Sequence, residues 1–358
     1  MKIEFTSFYT KILFLVLLFP NTNFAQDKLK IDNEAYDGWK TLKSTILSPK
    51  GSFVVYNINP HKGDGTLFIQ KTDKQILHSI ERGKSAKIHY NEQFVTYQIS
   101  AQFDSLRQLK LDKVKKDKFP KDTLGIYWVD GDSTVLIPNV KSYKLAKEGD
   151  WMAYLLADDT RKDCKVYKCK IRQKRNTCTK VKTTGTTLVV YNPLTKQKEE
   201  IFQVKEYYFN ENGTQLAYVT SQKGEKDSLS LIIRDLNHLD CNIEYNESCG
   251  LNIAICSNVL SIKSITFDKS GTQLAFLESN DTNKRKVFEL GYWNENGLLY
   301  IDSTIVNMTK GWTVSEFNAP KFSRDGKKLF FGTNKIVKQV PEDSLLANEK
   351  SKVDVWSW

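Results

Sequence analysis

The stretch FDKSGTQLAF (267–276) decides the fold, because nearly the same ten residues occur earlier as FNENGTQLAY (209–218). Ser-Gly and Asn-Gly provide the positive φ that a tight reversal needs, and the flanking aromatic and aliphatic residues favour half-buried strands. Each stretch therefore predicts a β-hairpin. Since the phrase returns almost unchanged, the chain is predicted to build the same small sheet more than once.

Four further copies carry the same pattern of an apolar start, a polar turn and an apolar triplet ending in an aromatic residue. They cover residues 46–56, 88–97, 143–154 and 321–331, and the copy at 88–97 lacks the glycine. A second strand-like run follows each of the six copies: 67–69, 109–111, 188–191, 231–233, 287–290 and 353–356. Three or four strands per unit predict an all-β fold, an incomplete β-propeller of about six blade-like repeats. A β-sandwich gives no reason for the recurring phrase.

Little helix is expected, and the best candidate for a helical turn or two is residues 341–350. With 53 Lys and Arg against 42 Asp and Glu, the formal net charge is +11, but the two signs are mostly interleaved. The basic segment 161–182 has Tyr167 as its only aromatic residue. It is interpreted as a surface hairpin or insertion, with a loop for an acidic partner as the alternative; no nucleic-acid partner is predicted.

The first 25 residues form a separate unit. Lys2 and Lys11 precede a short apolar run, and Asn23-Phe24-Ala25 provides a small-residue cleavage site. This arrangement predicts a secretory signal peptide (1–25) removed after Ala25, because the run is too short for the alternative, an uncleaved membrane anchor. The remaining 26–358 is predicted to be the propeller domain, exported to the periplasm or beyond, with no later membrane span.

The six cysteines fall in two groups of three, and export favours disulfides over metal ligation. The groups are Cys164, Cys169 and Cys178, then Cys241, Cys249 and Cys256. Each odd count leaves either a bridge between the groups or two free thiols. A zinc site is the weaker alternative, since no CxxC spacing and no neighbouring histidine accompanies them. The pairing stays open.

No catalytic, cofactor-binding or metal-binding residues are predicted, and no cofactor. The chain has no Gly-x-Ser-x-Gly motif, which a serine hydrolase of the α/β type would carry on a strand-to-helix turn. The four histidines are scattered and are interpreted as surface or loop residues rather than general bases: His61, His78, His89 and His238.

The repeats resemble a known family. SRDGKKLFF (323–331) and NGTQLAY (212–218) are similar to the blade repeats of TolB-type, WD40-like propellers. Such propellers also form the N-terminal domain of serine peptidases of the prolyl oligopeptidase (S9) family. The start, in which Trp39-Lys40 leads directly into the first repeat, resembles exported S9 peptidases of Bacteroidetes type. The resemblance covers essentially all of 26–358, and its motifs specify architecture more than activity.

The resemblance implies two functions. In the first, this chain is the substrate-gating propeller of a serine peptidase for short peptides, whose triad lies in a C-terminal α/β-hydrolase domain outside the chain. The end in the strand-like VDVWSW (353–358) favours this hypothesis, because it falls within an unfinished blade. In the second, the chain is a free-standing TolB-like envelope propeller that binds a protein partner. Neither hypothesis predicts catalysis by this chain alone.

Overall fold

A computed structural model describes residues 36, 39–157, 167–172, 175–180, 185–222, 228–237, 252–283, 285–301 and 308–336, with the backbone alone for 167–172 and 175–180. The predicted signal peptide (1–25), the predicted helical turns (341–350) and the predicted strand 353–356 lie outside these residues.

The chain is all-β and consists of antiparallel sheets arranged as propeller blades. Blade 1 is a separate four-stranded meander, in which each strand pairs with the next along the chain. Its strands are β1 (Lys40–Leu47), β2 (Phe53–Pro60), β3 (Thr66–Lys71) and β4 (Ile76–Glu81). Alternating apolar residues explain β2 and β3, because every second side chain is buried there.

Blades 2, 3 and 4 share one ten-stranded sheet, since two long strands each belong to two blades. The first part of β8 (Ser133–Leu145) pairs with β7, and its last part pairs with β9. In the same way β13 (Lys198–Phe209) pairs first with β12 and then with β14. The remaining strands of this sheet are β5 (Gly83–Ile88), β6 (Phe94–Ile99), β7 (Asp122–Trp128), β9 (Met152–Leu156), β12 (Thr186–Tyr191), β14 (Gln215–Gln222), β15 (Ser228–Asp235) and β16 (Asn252–Val259).

Blade 5 is again a four-stranded meander, of β17 (Ser261–Phe267), β18 (Leu274–Ser279), β19 (Glu289–Asn294) and β20 (Gly297–Ile301). In the described residues, blade 6 is one hairpin interrupted in the middle. Its outer part pairs β21 (Trp312–Val314) with β24 (Thr333–Lys335), and its turn end pairs β22 (Lys321–Phe322) with β23 (Leu329–Phe330).

Five hydrophobic clusters lie between the described blades, one at each junction of successive blades from blade 1 to blade 6. At the junction of blades 4 and 5, for example, Leu231 and Ile233 of β15 pack with Leu274 and Phe276 of β18. The other four clusters join blades 1 and 2, 2 and 3, 3 and 4, and 5 and 6. Sheets that pack face to face around an axis in this way are the blades of a β-propeller, so the predicted fold class is confirmed.

One helix, Phe103–Leu111, and a 3₁₀ turn, Lys116–Lys118, connect β6 to β7. The prediction of a strand at 109–111 was therefore wrong. Three residues, Leu-Lys-Leu, are too few to distinguish the strand period of two from the helical period of 3.6. The preceding residues form the first turn of the helix, which contains Asp104. Between β9 and β12, strands β10 (Tyr167–Arg172) and β11 (Arg175–Lys180) pair as the hairpin predicted for the basic segment.

The described cysteines bear on the disulfide prediction in part. Cys169 and Cys178 occupy directly opposed positions on β10 and β11. Cys256 is a free, buried thiol whose partner is the side chain of Glu278. Burial, reinforced by the Glu278 carboxyl, raises the pKa of Cys256 to about 12, so the thiol is protonated at neutral pH. Cys164, Cys241 and Cys249 lie outside the described residues.

Candidate functional site

Six tight turns, one per repeat, end the first strand of each blade with the same geometry. In each turn the N–H of the opening residue donates to the carbonyl oxygen five positions later, at 2.8 to 3.1 Å. The opening residues are Ser48, His89, Ala146, Asn210, Asp268 and Ser323. In four turns the side-chain oxygen of the opening residue also accepts the N–H of that fifth residue, at 2.9 to 3.1 Å. All six predicted hairpins are confirmed.

The third residue after the opening residue has positive φ in five of the turns. Glycine occupies this position in four of them, with φ between 70° and 80°. In the copy without glycine, Glu92 adopts φ of 64° at the same position. Residues other than glycine rarely adopt this conformation. Glu92 makes side-chain contacts outside its own turn, with Lys50 and Ser52.

The contacts that hold Glu92 come from blade 1. Its carboxylate accepts the backbone N–H of Lys50 and, at 2.5 Å, the hydroxyl of Ser52. Although burial favours the neutral acid, hydrogen bonds from Ser52, Ser48 and the Lys50 backbone hold the pKa of Glu92 below its usual value. The turn of blade 2 is thereby joined to the turn of blade 1.

His89 makes the corresponding link from blade 2 to blade 3. Its ring is fully buried and stacks on Phe94 with the centroids 4.3 Å apart, while Nε2 lies 3.1 Å from Oδ1 of Asp150. Burial lowers the pKa of His89, although the Asp150 carboxylate opposes this shift. His89 therefore lies in a turn, within the interpretation of the histidines as surface or loop residues, but it is buried rather than at the surface.

The two other described histidines lie elsewhere in the fold. His61 is exposed, His78 is half-buried and stacks on Tyr127, and His238 lies outside the described residues. Within the part of the chain that the structure describes, no group of three or more His, Cys, Asp and Glu side chains is arranged to hold a metal ion.

A cavity of about 880 Å³ lies among the first strands of blades 2 to 6 and the turns that follow them. Strands β5, β8, β13, β17 and β22 each contribute lining residues, so the cavity lies on the propeller axis. We call it the axial cavity. Its lining contains six cations and two carboxylates: Lys87, Lys144, Lys147, Lys269, Lys321, Arg324, Glu211 and Asp268.

These cations belong to two fixed positions of the repeat. Lys87, Lys144 and Lys321 stand two residues before the opening residue of their turns, and Lys147, Lys269 and Arg324 stand directly after it. Sequence reasoning missed this set, because it treated charge as interleaved along the chain. Alignment of the six copies by their turns would have revealed both positions.

Lys144 is held in place by aromatic residues of blade 4. Its Nζ lies 3.7 Å from the ring centroid of Tyr208 and donates to the Tyr207 carbonyl oxygen at 2.6 Å. Lys87 lies over the ring of Tyr143, 5.0 Å from its centroid. Burial lowers the pKa of both lysines; at Lys144 the nearby Glu206 carboxylate opposes this shift and the Lys87 charge adds to it. An anion in the axial cavity would counter these shifts.

The two carboxylates of the lining do not balance the cations. Lys147 pairs with Glu211, and this hydrogen bond, supported by the charges of Lys269 and Arg324, lowers the pKa of Glu211. Asp268 uses its carboxylate within its own turn, where Oδ1 accepts the Gln273 N–H at 2.9 Å. The axial cavity therefore presents an excess of positive charge.

In the described part of the chain, no helix is long and apolar enough to cross a bilayer.

Neither a protein-family model nor a curated protein matches this sequence. Among solved structures, the β-propeller domain of the Trilobed protease from Pyrococcus furiosus is similar at 9% identity and a TM-score of 0.40, over 84% of this chain and 86% of that one. Acylaminoacyl peptidase from Pyrococcus horikoshii gives 8% and 0.38, over 84% of this chain but 46% of that peptidase. TolB from Acinetobacter baumannii gives 10% and 0.33, over 73% and 55%. The assignment of the fold follows from the sheets and blade junctions described above. These distant likenesses to peptidase propellers and TolB do not indicate a function.

Proposed function

We propose that this chain is the non-catalytic, substrate-gating propeller domain of an exported S9-type serine peptidase that cleaves short peptides. The catalytic α/β-hydrolase domain lies outside the chain, and the signal peptide is removed near Ala25. The sequence resemblance supports this proposal, and the axial cavity is the observation that carries it. A cavity of about 880 Å³ is in the size range of sites for small ligands and is far too small for a folded domain.

Gating follows from this size difference. A propeller that covers an active site admits an extended segment through its axis and keeps folded proteins away from the nucleophile. It also limits the access of bulk water, which strengthens electrostatic interactions inside. The propeller itself needs no nucleophile for this role.

A peptidase assay tests the proposal. The purified mature chain is compared with a chain extended through the downstream reading frame of the same gene, using short fluorogenic peptides that contain Pro and Ala. We expect the extended chain alone to cleave these peptides and to leave a folded protein intact. Cleavage by the mature chain alone, or a downstream frame without a Gly-x-Ser-x-Gly turn, would contradict the proposal.

A second candidate, a free-standing propeller that binds an envelope protein, is favoured by the first strand. Leu42 on β1 is 64% exposed, whereas its counterparts Val140, Val204 and Ile262 in blades 3 to 5 are at most 6% exposed. Trp39, next to β1, is 54% exposed. An apolar strand face of this kind suits a protein partner. A stable complex of the mature chain with one envelope protein, without peptidase activity in the extended chain, would favour this candidate.

A further inference from the structure

We infer that the axial cavity selects extended acidic peptides, whose carboxylates bind to Lys87, Lys144, Lys269, Lys321 and Arg324. The inference rests on the proposed function, since it names the class of peptide that the channel admits.

The first step is that none of these five cations forms an ion pair with a carboxylate of the described residues. Among the residues that the structure describes, no carboxylate oxygen lies within 4.0 Å of any of them, whereas Lys147 in the same lining is paired with Glu211. Lys269 and Arg324 nevertheless lie close enough to Glu211 to influence its ionisation, and Lys87 influences Lys144. The charges are therefore concentrated in one place, and a bound anion would relieve their mutual repulsion.

The second step is the spacing of the charges. The position two residues before the opening residue lies on the strand, and the position directly after it lies in the turn beyond the strand end. The cations therefore stand at two levels of the lining, and acidic side chains at regular intervals along an extended peptide can reach both levels. The cations come from blades 2, 3, 5 and 6 and surround the cavity. A carboxylate on any side of the bound peptide therefore faces a cation.

The third step concerns the aromatic residues, which would otherwise favour a sugar or a nucleobase. Such ligands stack on an open aromatic face. The face of Tyr208 is already covered by the Lys144 ammonium, and Phe209 and Phe267 pack against the hydrophobic clusters of the blade junctions. Most of the cations are lysines, whose ammonium groups are compact point charges on flexible stems. Flexible point charges suit the separate carboxylates of an extended peptide.

The test uses the mature chain, residues 26–358, without any hydrolase domain. Affinity is measured by isothermal titration for a short peptide with glutamate at every third position, and for matched peptides with glutamine or lysine there. We expect the glutamate peptide to bind at least about tenfold more tightly than the glutamine peptide. Its affinity should fall as salt is added, and the lysine peptide should not bind.

A variant and a matched control locate the site. Lys87→Gln, Lys269→Gln and Lys321→Gln together should weaken binding of the glutamate peptide about tenfold. The control removes three exposed lysines from the connection between β6 and β7, Lys110→Gln, Lys115→Gln and Lys118→Gln, and should leave the affinity unchanged. Thermal unfolding of both variants shows whether they are folded. If a variant does not fold, the comparison of the three peptides on the unaltered chain still tests the inference.

Three results would overturn the inference: equal affinity for the glutamate and glutamine peptides, equal loss in variant and control, or tight binding of a polyuronate oligosaccharide without binding of the peptide.

The proposed function fails separately. If the extended chain does not cleave peptides while the glutamate peptide still binds, the peptidase role is wrong and the acidic site stands. If cleavage occurs without a preference for acidic peptides, only this inference fails.

Discussion

The turns of blades 5 and 2 follow the same backbone path but find their hydrogen-bond partners in different places. In blade 5, Asp268 accepts the N–H groups of Ser270 and Gln273 within its own turn. In blade 2, His89 and Glu92 turn outward, to Asp150 in blade 3 and to the turn of blade 1. A degenerate repeat is therefore not a weakened copy. Residues that no longer cap their own turn join neighbouring blades instead.

The largest expected effect is at the contact between two turns. In Gly213→Ala a new Cβ would lie 2.6 Å from the Ala146 Cβ and 3.2 Å from the Gly149 Cα, at φ of 70°. We expect a loss of about 3 kcal/mol in the free energy of unfolding, from the left-handed conformation and overpacking together. Gly51→Ala is the matched control, because its φ is 77° but no atom lies within 4 Å of the new Cβ. It should cost about 1 kcal/mol. Urea unfolding measures both, and equal losses would show that turn-to-turn packing contributes nothing.

The next effect concerns the carboxylate that links blades 1 and 2. Glu92→Ala removes the acceptor for the Lys50 N–H and the Ser52 hydroxyl, and should cost roughly 2–3 kcal/mol. Glu92→Gly loses the same hydrogen bonds but adopts the positive φ readily, so it should cost about 1 kcal/mol less. If Glu92→Gly were as stable as the unaltered chain, the link between blades would be energetically unimportant. Urea unfolding at neutral pH gives both values.

A smaller, pH-dependent effect is expected at His89. Burial lowers its pKa in the folded state, so the unfolded chain binds the proton more tightly. Stability should therefore fall as the pH decreases through the ordinary histidine value of 6.5 towards the lower folded value. His89→Asn, which introduces the cap residue of blade 4, should reduce this fall, whereas the exposed His61→Asn should not. Urea unfolding at neutral and mildly acidic pH measures the difference. Identical pH profiles for all three proteins would contradict the assignment.

The smallest effect tests the second irregular turn. Ala146 opens the turn of blade 3 without a side-chain cap, whereas Ser48 accepts the Phe53 N–H at 3.1 Å in the same position. In Ala146→Ser the new hydroxyl can accept the N–H of Trp151, and we expect a gain of up to about 1 kcal/mol. Thermal unfolding detects this gain as a higher midpoint. A lower midpoint would mean that the contact with Gly213 leaves no room for the hydroxyl.

The sequence predicted the hairpins well because their physics is local. A turn with glycine at positive φ and a polar cap needs only a few consecutive residues, and so the two clearest copies pointed to all six. The helix Phe103–Leu111 was missed because none of its residues is buried and nine residues are too short a run to show a clear helical period. Strand 109–111 was assigned to satisfy the expected repeat rather than the local sequence.

The axial cavity was not predicted because its residues come from five different blades. Lys87 and Lys321 are far apart in the chain, and only the arrangement of the blades around a common axis brings them into one lining. Likewise nothing near His89 in the sequence indicates Asp150 as its partner, because that contact depends on how blade 3 packs against blade 2. The position of each cation relative to its turn was nevertheless present in the sequence.

Strands β8 and β13 limit how this molecule can change in evolution. Because each of them belongs to two blades, a duplication, deletion or exchange of blade 3 alone would cut through a paired strand and leave unpaired edges. Blades 2 to 4 therefore form one structural block. The natural boundaries of that block are Arg82, between β4 and β5, and Leu260, between β16 and β17. A blade recombined from another propeller would join most readily there, because no paired strand is cut.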